Sequence, residues 1–242
     1  MEGPSLVIAK EELTPFYNRR IVSAVVPKSM KSLNGKKLVK AKSWGKHLLL
    51  FFNNQIIRIH FLMFGSYRIN NPRENRIPKL QLNYKDEVIY FYSCAIRPIE
   101  EDDVLEYDHS VNLMSDEWDH KKALKKLREK SASYVCDVLM DQDIFAGLGN
   151  IMKNEILFRC KIHPEEKVSS LTAREQGKLV KESRQYSHDF YEWKKINQLK
   201  RHWLIMRKKN CPVCGRKVIK KPTGKLKRLS HFCPFCQKKK ST

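Results

Sequence analysis

Apolar residues along the chain change period twice, dividing it into a strand-rich first half and a helix-rich second half. The opening run Leu6-Val7-Ile8-Ala9-Lys10-Glu11-Glu12-Leu13 has helical content, with Pro4 near its first turn where a missing N–H costs little. A short helix beginning almost at residue 1 pins the amino terminus against fraying. From Lys37 to Tyr92 the pattern is one of strands. Lys37–Ser43 alternates, His47–Phe52 is almost continuously apolar, and Asn53-Asn54 marks a turn. Gln55–Phe61 follows with alternating Ile57 and Ile59, then Ser66–Asn70, Leu80–Tyr84 and Glu87–Tyr92. Short strands at this spacing predict a β-sandwich or barrel.

The stretch Glu100–Asp119 is acidic and irregular and reads as a link between the halves. Helical sequence follows, first around Ala123, Leu124 and Leu127, then around Tyr134, Val135, Val138 and Leu139. Gly147 and Gly149 flank Leu148 and predict a tight turn into a helix from Ile151 to about Ile162, stopped before Pro164. The N–H groups opening that helix, with Asn150 among them, form a natural phosphate seat. A further helix is expected over Thr172–Ile196. There is no internal repeat and no extended low-complexity segment.

Two cysteine pairs, Cys211-Pro-Val-Cys214 and Cys233-Pro-Phe-Cys236, are separated by 18 residues. That spacing suits four thiolates around one tetrahedral Zn²⁺, each pair on a tight turn and the two joined by an antiparallel ribbon. The ribbon is read as Val218 and Ile219, a turn at Pro222-Thr223-Gly224, and a return over Leu226–Phe232. Two disulfides, or four cysteines packed separately, are the alternatives; with no signal peptide and no hydrophobic anchor, the thiols are expected to stay reduced. Cys94, Cys136 and Cys160 have no paired spacing and are expected as buried, reduced core residues.

Charge narrows the class of partner. Lys and Arg number 48 against 26 Asp and Glu, a formal net charge of +22. From Lys194 onward there are 17 Lys or Arg and no acidic residue. Such an excess favours nucleic acid, whose condensed counterions are released by Lys and Arg. A membrane partner is not expected, since there is no apolar run of spanning length and no basic amphipathic helix with an aromatic face. Arg228 lies five residues before Cys233, where a metal-stiffened ribbon would fix it. At the other end Glu2 stands beside an α-amine of pKa about 8, a nucleophile with its own proton carrier. Gly3 allows close backbone approach, and Gly45-Lys46 puts a lysine at the rim of the most apolar strand.

Taken in order, these segments resemble one family. Asp141-Gln142 and Ala146-Gly147-Leu148-Gly149-Asn150, followed by Glu155-Ile-Leu-Phe158 and Ile162-His-Pro164, are similar to the helix–two-turn–helix of the formamidopyrimidine-DNA glycosylase/endonuclease VIII family. Glu2-Gly3-Pro4, Gly45-Lys46 before Leu48-Leu49-Leu50, His60-x-x-Met63 before Gly65, Leu113-Met-Ser115-Asp-Glu-Trp118, and Arg228 before Cys233-x-x-Cys236-Gln237 extend the likeness from residue 2 to residue 237. The resemblance implies an α+β architecture: an N-terminal β-sandwich catalytic domain (1–106), a linker (107–122), a helix–two-turn–helix DNA-binding domain (123–204), and a C-terminal zinc-finger β-hairpin with basic tail (205–242). DNA would cross between the two halves.

The same resemblance implies roles. An amino-terminal nitrogen attacks the sugar C1′ of a flipped nucleotide, and Glu2 protonates the opening sugar. Lys46 holds a phosphate and serves β-elimination, Gly149 and Asn150 bind phosphate, and Arg228 grips phosphate and serves δ-elimination. Met63 enters the gap left by the flipped nucleotide. Cys211, Cys214, Cys233 and Cys236 hold one structural Zn²⁺.

Two departures shape the expectation. Family members begin Met-Pro-Glu-Gly-Pro, with the proline as nucleophile; here Met1 precedes Glu2 directly. A bulky second residue resists methionine removal, so Met1 itself is expected to supply the amine. At Ser93-Cys94-Ala95-Ile96-Arg97-Pro98 the usual Asp-Pro-Arg-x-Phe is altered, leaving Arg97, shifted by one, as the arginine opposing the orphaned base and no aromatic wedge. The expected activity is a bifunctional DNA glycosylase and AP lyase, monomeric, cytoplasmic and nucleoid-associated. Its duplex substrates carry damaged bases or abasic sites, and it favours oxidised pyrimidines and ring-opened or bulky lesions over 8-oxoguanine. A non-enzymatic lesion binder and a monofunctional glycosylase using Glu2-activated water are the alternatives.

Overall fold

The structure is a computed structural model describing residues 1–240, and it divides into two compact units, Met1–Tyr107 and Asp108–Thr242. The first unit opens with helix α1 (Gly3–Glu12), which has Pro4 in its first turn and buries Leu6, Ile8 and Ala9. Two antiparallel four-stranded sheets follow. One runs β2 (Leu38–Trp44), β3 (His47–Phe52), β4 (Gln55–His60), β8 (Ala95–Ile99); the other runs β1 (Ser23–Val25), β6 (Leu80–Asn83), β7 (Val88–Tyr92), β5 (Ser66–Ile69). Leu48, Leu50, Ile57 and Ile59 of the first sheet share a core with Leu80, Leu82, Ile89 and Phe91 of the second, and α1 adds Leu6, Ala9 and Leu13. This is the expected sandwich.

Period-two alternation sends the intervening residues to the outer face. There Leu49, Phe51, Ile56 and Ile99 form a smaller cluster with Val104 and Tyr107. Strands β1 and β8 escape a reading by pattern, being short and mostly exposed. The acidic stretch is not wholly irregular. Helix α2 (Glu101–Leu105) forms within it, with a reciprocal Glu100–Asp103 capping box. Three acidic residues in its first turn complement the helix dipole.

The second unit contains α3 (His120–Glu129), α4 (Val135–Val138), α5 (Asn150–Cys160), α6 (Ala173–Lys195) and a hairpin of β9 (Ile219–Thr223) and β10 (Arg228–Phe232). α3 starts on Asp119, whose carboxylate accepts from Lys121 N and Lys122 N. α6 starts on a Thr172–Glu175 capping box. The core joins Leu113, Leu127, Val138, Phe145, Leu148, Ile156, Leu179 and Tyr186. Between α4 and α5 the side chain of Gln142 stitches the turn: it accepts from Gly147 N and donates to Met140 O and Leu148 O. Gly147 sits at φ +100, where a β-carbon would clash with the backbone.

The ribbon turn lies two residues later than its sequence suggests. Pro222 and Thr223 belong to β9, paired with Leu229 and Arg228, and the reversal uses Gly224 and Lys227 at positive φ. A two-stranded ribbon has free edges, so Pro222 needs no ladder N–H there. Cys94, Cys136 and Cys160 are buried and unbridged. Among the described residues no helix is long and apolar enough to cross a membrane.

Candidate functional site

In the first unit the chain start is held by the turn after β4. The Met1 amino group donates to Leu62 O at 3.3 Å, and Leu62 N donates to His60 Nδ1 at 3.1 Å. The Met1 side chain packs on the sandwich core, while Glu2 takes the N-cap position of α1 with extended backbone. Lys46 sits in the β2–β3 turn after Gly45 at φ +51. Pairing of His47 with His60 sets β3 beside β4. Burial pulls His60 below the usual imidazole value, and the positive charges of the amino terminus, Lys46 and Arg58 add to that.

His47, beside it, is held down to about 4, chiefly by burial and then by Arg58 and His60. Its Nδ1 lies 3.1 Å from the Tyr107 hydroxyl. Arg97 stands on β8 directly opposite Arg58 of β4. Directly opposed like charges destabilise a sheet. Met63 is 66 % exposed at the tip of the Phe61–Gly65 turn, which sets it outside the core.

Sequence reasoning passed over Arg58 and His60 as site residues. The signal was present: they are the polar alternates of an otherwise apolar strand.

In the second unit α5 presents Asn150, Lys153 and Asn154, an i, i+3, i+4 set on one face, to β10. The Asn150 side-chain amide donates to Leu229 O at 3.0 Å, and Lys153 Nζ donates to Ser230 Oγ at 2.9 Å. Asn154 Oδ1 accepts from His231 N at 3.0 Å. Lys153 and Asn154 are fully buried and do the docking. Asn150 Oδ1 is buried with no partner. The expected phosphate seat is thus also a bracket for the strand carrying Arg228, whose side chain is exposed. Gly149 N-caps α5 with extended backbone. The structure brings Gly149, Asn150 and Arg228 together here.

Glu155, one turn further, is fully buried and accepts from Leu204 N, Ile205 N and Met206 N at 2.9, 3.0 and 2.8 Å. It anchors the segment entering the finger. The Asp137 carboxylate accepts from Lys225 N at 2.7 Å and Leu226 N at 3.1 Å, clamping the hairpin turn to α4.

The four thiols of Cys211, Cys214, Cys233 and Cys236 lie within 4.8 Å of one another. Sγ separations are 3.7 Å for Cys211–Cys236 and 3.5 Å for Cys214–Cys233. Zn–S bonds of about 2.3 Å give tetrahedral edges of about 3.8 Å, whereas a disulfide needs about 2.05 Å. The cluster fits a metal, and neither of these pairs is at disulfide distance. Gln237 ties it to the helices, its Oε1 accepting from Cys233 N and its Nε2 donating to Ile162 O.

Residues 7–95 match the formamidopyrimidine-DNA glycosylase N-terminal domain, and residues 111–187 match the formamidopyrimidine-DNA glycosylase H2TH domain. The chain belongs to the formamidopyrimidine-DNA glycosylase/endonuclease VIII family. Among family members, it is 31% identical over 223 residues to Endonuclease 8-like 3 of Xenopus laevis, an alignment covering 87% of this chain and 36% of that protein. The chain therefore spans about a third of the length of such relatives. Endonuclease 8-like L720 of Acanthamoeba polyphaga mimivirus is 28% identical over 275 residues, covering 98% of this chain and 99% of that one.

A crystal structure of a viral DNA glycosylase superposes with a TM-score of 0.85 at 25% identity, covering 98% and 100% of the two chains. Lactococcus lactis formamido-pyrimidine DNA glycosylase, bound to DNA containing an AP site, shares the fold with a TM-score of 0.86 at 24% identity, covering 99% and 100%. The two-sheet unit, the helical unit and the cysteine hairpin are the parts of the family fold.

Proposed function

We propose that this chain is a base-excision DNA glycosylase with AP lyase activity, acting as a monomer on duplex DNA that carries damaged bases or abasic sites. The carrying observation is the Met1 amino group held by Leu62 O in the turn after β4, with Glu2 next in the chain at the N-cap of α1. An amine that donates an N–H to that carbonyl directs its lone pair elsewhere, as a nucleophile requires. Met1 replaces the family's proline, and a primary amine forms an imine as a secondary one does. The reading requires an unblocked nitrogen.

In this reading the Met1 nitrogen bonds to C1′ of an extruded nucleotide and the base leaves with the glycosidic electron pair. Glu2 protonates the sugar ring oxygen as the C1′–O bond opens to an imine. Loss of a C2′ proton expels the 3′ phosphate, and a second elimination expels the 5′ phosphate. Lys46 assists the first and Arg228 the second, each holding the departing phosphate. Extrusion costs least where a base is already damaged or mispaired. Met63 occupies the vacated space, Gly149 and Asn150 grip the backbone, and Arg97 opposes the orphaned base. Cys211, Cys214, Cys233 and Cys236 would hold one Zn²⁺, whose contribution is to stiffen the hairpin.

The short stretch between the last helix and Cys211, which has no glycine-rich lid, favours oxidised pyrimidines and ring-opened or bulky lesions over 8-oxoguanine. The place of action is wherever such DNA lies, with the cytoplasm and its nucleoid as the expected compartment. Borohydride reduction on an abasic duplex tests the reading: the expected product is a covalent adduct whose peptide map places the sugar on Met1. An unblocked protein that gives no adduct, or an adduct elsewhere, overturns it.

A further inference from the structure

Lys153 is fully buried in the face that α5 turns to β10. Lysine is almost never fully buried unless its head group is paired, and here Nζ donates to Ser230 Oγ at 2.9 Å and to Leu229 O at 3.4 Å. Taking an ammonium out of water is costly. An apolar side chain of the same length would pack α5 on β10 without that cost, so docking alone does not call for lysine. What Nζ holds is the back of the phosphate grip. Ser230 Oγ meets Thr223 Oγ1 at 2.6 Å, and both residues are buried. Thr223 is the cross-strand partner of Arg228. Alternation along β10 puts Ser230 and Arg228 on one face of the ribbon, and direct pairing puts Thr223 on that face too. The Lys153–Ser230–Thr223 chain therefore runs beneath the point from which the exposed Arg228 side chain leaves the strand. Leu229 O, the other acceptor, is also where the Asn150 amide donates.

We propose that Lys153 is a positioning residue, fixing where Arg228 meets a phosphate of the DNA. The proposal rests on the reading of Arg228 as a phosphate-gripping residue and deepens it. Lys153 is enclosed and acts only through the ribbon. Without its head group Ser230 loses a charge-assisted donor, and the Ser230–Thr223 pair is no longer tied to α5 from below. Arg228 then leaves a strand whose rotation against the helix is no longer set. Because Leu229 O serves both Lys153 and Asn150, one buried lysine also registers the two phosphate-gripping residues against each other.

The test measures affinity for a duplex carrying a tetrahydrofuran abasic analogue over a range of salt, because each phosphate contact adds about 0.9 to the slope of log K against log salt. A buried lysine makes no such contact of its own. Lys153→Met, which keeps the stem and removes the head group, is expected to lower the slope by about 1, as Arg228→Ala does. Combining the two is expected to lower it by about 1 rather than about 2. Lys178→Met removes a lysine that donates to Arg159 O near the far end of α5, and is expected to leave the slope unchanged. Thr223→Val, close in shape but without the hydroxyl, carries the same expectation as Lys153→Met and decides the matter where Lys153→Met does not fold. A wild-type slope in the folded variant overturns the proposal. So does an additive loss in the combined variant, or an equal fall in Lys178→Met. An unchanged slope in Arg228→Ala itself refutes the reading of Arg228, and the proposal with it. Failure of the wild-type protein to form a borohydride adduct refutes the lyase reading alone, since the slope is independent of the chemistry.

Discussion

Gly224 offers the sharpest test of how the finger is positioned. It lies at φ +67, and a β-carbon there would fall 2.3 Å from Asp137 Oδ1 and 2.6 Å from Asp137 Cγ. Ordinary contact needs about 3.5 Å, so in Gly224→Ala the carboxylate must retreat by about 1 Å. Asp137 would then lose Lys225 N and Leu226 N. Two charge-assisted hydrogen bonds at an exposed site cost about 1.5 kcal/mol each, and the left-handed backbone adds about 1 kcal/mol. The expected destabilisation is about 4 kcal/mol.

Gly215 supplies the contrast, because it sits at φ +73 and a methyl placed there would meet nothing within 4 Å. Gly215→Ala should cost about 1 kcal/mol. Thermal melting of the zinc-saturated protein should show a fall of about 10 °C for the first variant and about 3 °C for the second. In an Asp137→Ala background the cost of Gly224→Ala should drop to about 1 kcal/mol. Equal effects of the two glycine variants, or no coupling to Asp137, would refute the clamp.

Arg228→Ala should lower incision and shift products away from δ-elimination while zinc content by atomic spectroscopy stays constant; zinc loss in that variant would make the arginine structural. Glu155→Gln leaves one of three buried N–H donors without an acceptor and should cost about 1–3 kcal/mol in chemical denaturation. Binding to duplex should weaken steeply with salt, and Arg228→Ala should reduce the slope of log K against log salt by about 1. His47 has its folded pKa lowered to about 4 from 6.5, so the folded state binds fewer protons than the unfolded chain between those values. Its contribution to stability is complete above pH 6.5 and is lost as the pH falls towards 4. His47→Asn should reduce the proton uptake on unfolding at about pH 5.5 by about one.

The strands with apolar alternation, from β2 to β7, were legible because the sheet period is local. The long helix α6 was legible through its Thr172–Glu175 cap, and the four cysteines through their spacing. β1 and β8 were not, because a short exposed strand carries little alternation and forms by pairing with a distant partner, Asn83 for Ser23 and Ile99 for Ile56. The ribbon turn was misplaced because Pro222 reads locally as a breaker, while an edge strand accepts it. In the first unit, Met1, Glu2 and Lys46 stand out in the sequence as separate candidates. The capture of the Met1 amine by the turn after β4 was not legible there, since it depends on a carbonyl 61 residues away.

The sequence by itself determined what depends on near neighbours: two architectures in order, a metal-binding cysteine spacing, and a charge that calls for a polyanion. The tertiary structure alone decided which polar groups share a partner. Asn150 and Lys153 both reach Leu229 O, Asp137 holds a turn 88 residues on, and the Met1 amine meets Leu62 O. Propensity and period act over a few residues, whereas these contacts exist only once burial has chosen one register and closed the alternatives.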